Sequence, residues 1–170
     1  MKNVYTLTKI KTFLGMEGHG LNATVCKNGK AVAFALDDAS GGELRVDFKR
    51  DEQGHADERE FGDFCIAWQD SKGGLSEARE SYIKSISASH PSVKPDLMRR
   101  NYAVEDWINE TVDEMKNKQR FDRLSKKKTL FRLKGSSAEE WRTLAAPYSP
   151  AIQAQLDRKY PNQIEQIWGH

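Results

Sequence analysis

The chain has 170 residues, 38% of them hydrophobic and 31% charged, with 27 basic side chains against 25 acidic ones. That length amounts to one ordinary domain, and the aromatic content and mixed charge signs exclude a disordered polyelectrolyte. Residues 1–14 contain no long apolar run, so neither a signal peptide nor a membrane span is expected, and the expected setting is the cytoplasm.

The N-terminal third reads as strands. Val4, Leu7, Ile10 and Phe13 mix with Thr6, Thr8 and Thr12, and two further β-rich runs, 21–26 and 31–36, flank Lys27-Asn28-Gly29-Lys30. Asn-Gly predicts a two-residue hairpin, because both central positions of a type I′ turn need positive φ. Asp37-Asp38-Ala39-Ser40-Gly41-Gly42 predicts another turn, after which Leu44, Val46 and Phe48 alternate with polar residues. The expectation for 1–49 is an antiparallel meander with one buried face and strands in chain order.

Residues 50–125 read as mainly helical. Asp51, Glu52, Asp57, Glu58, Glu60 and Asp63 suit an exposed acidic loop leading into a short helix. Phe61, Phe64, Cys65 and Trp68 fall at i, i+3, i+4 and i+7 on that helix, although Phe64, Ile66 and Trp68 also fit a strand. A second helix is expected from the cap Ser76, burying Ala78, Tyr82, Ile83 and Ile86 and stopping at His90-Pro91, with a linker to Arg100. The clearest helix spans 104–124, its stripe formed by Val104, Trp107, Ile108, Thr111, Met115, Phe121 and Leu124. Its early acids and late bases suit the helix dipole.

In residues 126–170 the period returns to two. Thr129, Phe131 and Leu133, then Gly135-Ser136-Ser137, then Trp141, Thr143 and Ala145 predict a late β-hairpin. Ser149-Pro150 predicts a capped helix start, with Ile152, Leu156, Tyr160, Ile164 and Ile167 or Trp168 as the buried stripe of a closing helix or a pair broken at Pro161. The order of strands, helices, hairpin and helix predicts a single α+β domain over 1–170. Trp107, Ile108, Phe131, Trp141 and Leu156 are its expected core.

Charge is strongly segregated. Lys116, Lys118, Arg120, Arg123, Lys126, Lys127, Lys128, Arg132 and Lys134 face one acid, Asp122, between Met115 and Gly135, a net +8, which leaves 18 bases and 24 acids elsewhere. Such a segment is a solvated face, a surface for an acidic protein, or a track for nucleic-acid phosphates. No exposed aromatic run accompanies it, since Phe121 and Phe131 occupy core-period positions. The acids at 51–63 are the alternative binding surface, one that would mimic phosphates.

No catalytic motif stands out. The loop Gly15-Met16-Glu17-Gly18-His19-Gly20 lacks the order and the following helix of a phosphate cradle. Glu17 and His19 would need Asp37 and Asp38 beside them to hold a metal, and the meander is expected to place those loops at opposite ends. His55, His90 and His170 have no metal-ligand spacing, and Cys26 and Cys65, without CxxC partners, read as reduced thiols. No catalytic residue, metal or cofactor is expected, and an enzyme is the less favoured class.

Two strings, KIKTFLGMEGHGLNATVCKNGKAVAFALDDASGGELRVDF and KKKTLFRLKGSSAEEWRTLAAPYSPAIQAQLDRKY, resemble segments of small accessory proteins of tailed phages and prophages. The resemblance leaves the middle of the chain uncovered and carries no catalytic motif. It implies a protein that binds and inhibits or redirects a host protein complex in the host cytoplasm, an anti-CRISPR-like inhibitor being the sharpest version. A nucleic-acid-binding accessory protein using 116–134 is the alternative, and an enzyme of unknown reaction a further one.

Overall fold

The computed structural model describes residues 4–170 and falls into two compact units that divide between Val112 and Asp113. The fold is α+β, as expected. In the first unit the strands β1 (Tyr5–Gly15), β2 (Gly18–Lys27), β3 (Lys30–Asp37) and β4 (Arg45–Phe48) form an antiparallel meander in chain order. Asn28 and Gly29 take φ 51° and 80°, giving the tight hairpin that the dipeptide predicts. The inner face of the sheet, made by Tyr5, Leu7, Leu21, Ala23, Val25, Ala33 and Ala35, is buried against Phe61 and Cys65 of α1 (Glu52–Ser71) and Ala103, Trp107 and Ile108 of α3 (Pro95–Ser125). Tyr5, Phe61, Phe64 and Trp107 pack ring on ring at 4.8–6.4 Å.

Several boundaries differ from the expectation. The acidic stretch is the first half of α1 rather than a loop: Asp51 caps it, accepting from the Gly54 N–H at 2.7 Å, and acids in the early turns suit the dipole. Gly54 is required there because a Cβ would lie 1.9 Å from the Lys49 carbonyl oxygen. The long helix α3 begins at Pro95, where a residue without an N–H costs no helix bond, so the linker before it is only a few residues long. In α2 (Glu77–Ser89) Ile83 is buried as expected, but Ala78 and Tyr82 are exposed.

The loops around Glu17 and Ala39 meet, contrary to the expected placement at opposite ends. The first and third turns of a meander share an end because the chain reverses twice between them, and the Glu17 N–H donates to the Ala39 carbonyl at 2.9 Å. The contact assembles no metal site: among the described residues no three His, Cys, Asp or Glu side chains converge.

In the second unit the C-terminal part of α3 leads into β5 (Thr129–Leu133), β6 (Arg142–Leu144), α4 (Pro150–Lys159) and β7 (Ile164–Ile167). The late hairpin forms as β5 with a short β6, and Ser149 caps α4 with Pro150 in its first turn. Residues 164–167, expected as helix, are a strand instead. Their apolar i, i+3 spacing mimics a helix because a bulge sets three steps on β7 against two on β5, pairing Ile164 with Leu133 and Ile167 with Phe131. Both isoleucines thereby reach the cluster of Phe131, Leu133 and Leu156 under α4. The residues expected to make one core thus fall in two clusters, Trp107 and Ile108 in the first unit and Phe131 and Leu156 in the second, while Trp141 is only half-buried.

Tyr5 yields a pH prediction. Its hydroxyl is buried without a hydrogen-bond partner, and burial first, then the Glu60 carboxylate, push its pKa up to about 12, against an opposing pull from Lys27. The fold holds the neutral phenol, so the unfolded chain alone gains from ionisation as pH rises from about 10, and stability falls through that window. Lys27, whose ammonium pKa is raised by Glu60 and Asp57, adds to the loss in the same direction. Tyr5→Phe is expected to unfold at the same or higher urea concentration at neutral pH, since an orphaned buried hydroxyl costs about 1–3 kcal/mol, and to lose stability less steeply above pH about 10. Identical alkaline slopes in urea titrations would count against this account of Tyr5.

Candidate anion-binding surface

The basic segment lies wholly in the second unit. Lys116, Lys118, Arg120 and Arg123 are on α3, Lys126, Lys127 and Lys128 on the turn that ends it, Arg132 on β5 and Lys134 just beyond. Residues 113–120 are exposed around the full circumference of the helix. Lys116, Arg120 and Arg123 share one side at i, i+4 and i+7, while Phe121 and Leu124 turn a half-buried side toward the strands. The N–H groups of Lys127 and Lys128 both donate to the Leu124 carbonyl at 2.9 Å, which winds the three lysines around the negative end of the helix dipole.

What sets these cations apart is their concentration: nine bases fall within 19 residues that hold a single acid, Asp122. In the first unit Lys27, Arg45, Lys72, Arg79, Arg99 and Arg100 are each ion-paired, and the bases without an acid, such as Lys9, Lys30, Arg59 and Lys94, are scattered along the sequence. Among the described residues, eight of the nine bases in 116–134 pair with no acid; Arg132 is the exception. Its half-buried guanidinium donates to the Glu165 carboxylate at 3.1 Å, the Gln166 side-chain oxygen at 3.2 Å and the Ala138 carbonyl at 3.2 Å. It is built into the unit in a way that Lys134 is not.

Aromatic rings do accompany the cations, which the sequence reading did not anticipate. Phe121, Trp141 and Trp168, all half-buried, form a triangle with centroid separations of 5.0–5.6 Å. Arg132 lies over Trp141 at 5.5 Å and Arg120 over Phe121 at 5.9 Å, and the Trp168 indole N–H donates to Asp122 at 2.9 Å. Asp122, the one acid in the segment, is therefore occupied in orienting a ring. The three aromatics come from a helix, a hairpin loop and the chain end, so no periodicity connects them; only strand order β6-β5-β7 brings them together.

The alternative acidic surface is largely committed inside the first unit. Asp57 is buried and meets Lys27 at 2.9 Å, and Glu60 meets the same ammonium at 2.7 Å. Asp63 pairs with Arg100 at 2.7 Å, Asp51 caps α1, and Glu58 lies 3.7 Å from the His55 imidazole; Glu52 is exposed. A groove of that unit, about 500 Å³, is walled by Lys27, Lys30, Lys49, Asp51 and Asp57, of which Lys27, Asp51 and Asp57 already have partners. Cys26 and Cys65 are free and buried, and burial pushes the Cys65 thiol pKa up, away from the reactive thiolate. His170 stacks on Tyr148 at 3.8 Å. No helix among the described residues is long and apolar enough to cross a membrane.

No protein-family model, curated protein or solved structure matches the chain.

Replacing Arg132 by alanine removes three hydrogen bonds and a cation–π contact, and is expected to destabilise the second unit by about 1.5–3 kcal/mol. Lys134→Ala, at an exposed position, is expected to stay within about 0.5 kcal/mol. Denaturant titrations of the two variants measure the contrast.

Proposed function

We propose that this protein acts by binding, and that the unpaired cations of 116–134 are its contact surface for an anionic macromolecule. The observation that carries the reading is the crowding of eight bases without acidic partners into residues 116–134, where Asp122 is the one acid and is taken up by the Trp168 indole. Crowded exposed cations repel one another, and the helix dipole offsets that only in the last turn, so an anionic partner is what gives the whole cluster a use. The wider setting, an accessory protein of the phage class that engages a host complex, rests on the sequence resemblance. The anionic face of such a complex is the target on this reading.

Lys126, Lys127 and Lys128 make the test because they end a helix without packing into it. Changing all three to Glu is expected to leave the circular dichroism spectrum unchanged and the stability within about 0.5 kcal/mol for each position. The same change is expected to abolish retention on immobilised heparin at low salt, where the parent is held and elutes only as salt rises. A parent that passes straight through the column, or a triple variant retained as strongly as the parent, overturns the reading.

A further inference from the structure

We propose that the polyanion taken by the second unit is a single-stranded nucleic acid, with exposed bases stacking on the Phe121–Trp141–Trp168 triangle while the backbone follows the cations of α3 and its terminal turn. The inference rests on the anion-binding reading above and adds to it the class of partner and the stacking residues. Cations alone do not discriminate among polyanions. The triangle does, because flat π surfaces beside a phosphate-binding track match a ligand that carries phosphates and open base faces together. A duplex buries its base faces in its own stack and offers the rings only edges and backbone. An acidic protein surface satisfies the lysines and gives the rings no planar partner.

The geometry supports this division of labour. Trp141 closes the hairpin loop that begins at Lys134 and is partly exposed. The Arg132 guanidinium at 5.5 Å is itself braced by Glu165 and Gln166, so the ring and its cation are held before any ligand arrives. Trp168 is fixed by its bond to Asp122 and meets Trp141 edge to face at 5.3 Å, backing it as a platform. Lys116, Arg120 and Arg123 run along one side of the helix over a rise of about 10 Å, a track of nucleotide dimensions.

The experiment uses the full chain with fluorescein-labelled fifteen-nucleotide oligo-dT and oligo-U, a duplex of equal length, and poly-glutamate, read by anisotropy and by intrinsic tryptophan fluorescence. Expected are binding of either single strand at least tenfold tighter than the duplex or poly-glutamate, quenching of tryptophan emission on saturation, and a log K against log salt slope of about −3.5 if five phosphates are neutralised. Trp141→Leu is expected to weaken single-strand binding about tenfold and leave heparin elution unchanged, whereas the Lys126/Lys127/Lys128 reversal weakens both. Trp141→Phe keeps a ring in the triangle and is expected to recover most of the affinity, and quenching in the parent decides the matter if the leucine variant does not fold. Duplex or poly-glutamate bound as tightly as the single strands, or no quenching, overturns the inference while retention on heparin leaves the anion-binding reading standing. Loss of heparin retention in the parent overturns both.

Discussion

The first sheet presents small residues to its core. Beside Tyr5, Leu7, Leu21 and Val25, its inner face buries Ala23, Ala33 and Ala35, and the space over these alanines leaves room for bulk from the helices, in the form of Phe61 on α1 and Trp107 and Ile108 on α3. Seating Phe61 and Cys65 on that face sets the rotation of α1 about its axis. Once the rotation is set, Asp57, one turn before Phe61, and Glu60, three residues after Asp57, arrive over Lys27 at the end of β2. Charges brought this close to the core have to be paired, because an isolated buried charge costs several kcal/mol. The acidic character of α1 is therefore in large part a consequence of packing, and much of it is unavailable to a partner.

The second unit solves a different problem with few apolar residues. One face of its three-stranded sheet buries Phe131, Leu133 and Ile167 under Leu156 of α4. Elsewhere in the unit Phe121, from the end of α3, meets the rings of Trp141 and Trp168. The end of α3 leaves most of its circumference in water, and that exposed surface is rich in bases. The dipole makes bases favourable in the last turns, which explains a few of them; it does not explain their continuation through Lys134, beyond the helix. Arg132 marks the boundary between structure and surface, since its guanidinium reaches Glu165, Gln166 and the Trp141 ring while its buried Nε finds no acceptor. Binding by such a surface would be fast to form and sensitive to salt, with whatever selectivity it has supplied by the rings.

Local signals in the chain were sufficient for the meander, the Asn28-Gly29 turn, the Ser76 and Ser149 caps and the late hairpin, because each depends on the φ preference, hydrogen-bonding capacity or alternation of residues adjacent in sequence. They were also sufficient to locate the basic segment, since charge is a property of composition. What failed locally failed for a physical reason. Ile164 and Ile167 mimicked a helical stripe because a bulge, invisible without the partner strand, changes the count of residues between two positions on one face. Residues 51–63 looked like a loop because the compensating cation, Lys27, lies some 30 residues upstream on β2. Which charges are free and which are spent, and that Trp141 and Trp168 stand beside Phe121, depend on which distant segments share a face. That was decided only by tertiary structure, because pairing and packing energies act between neighbours in space and leave no period in the sequence.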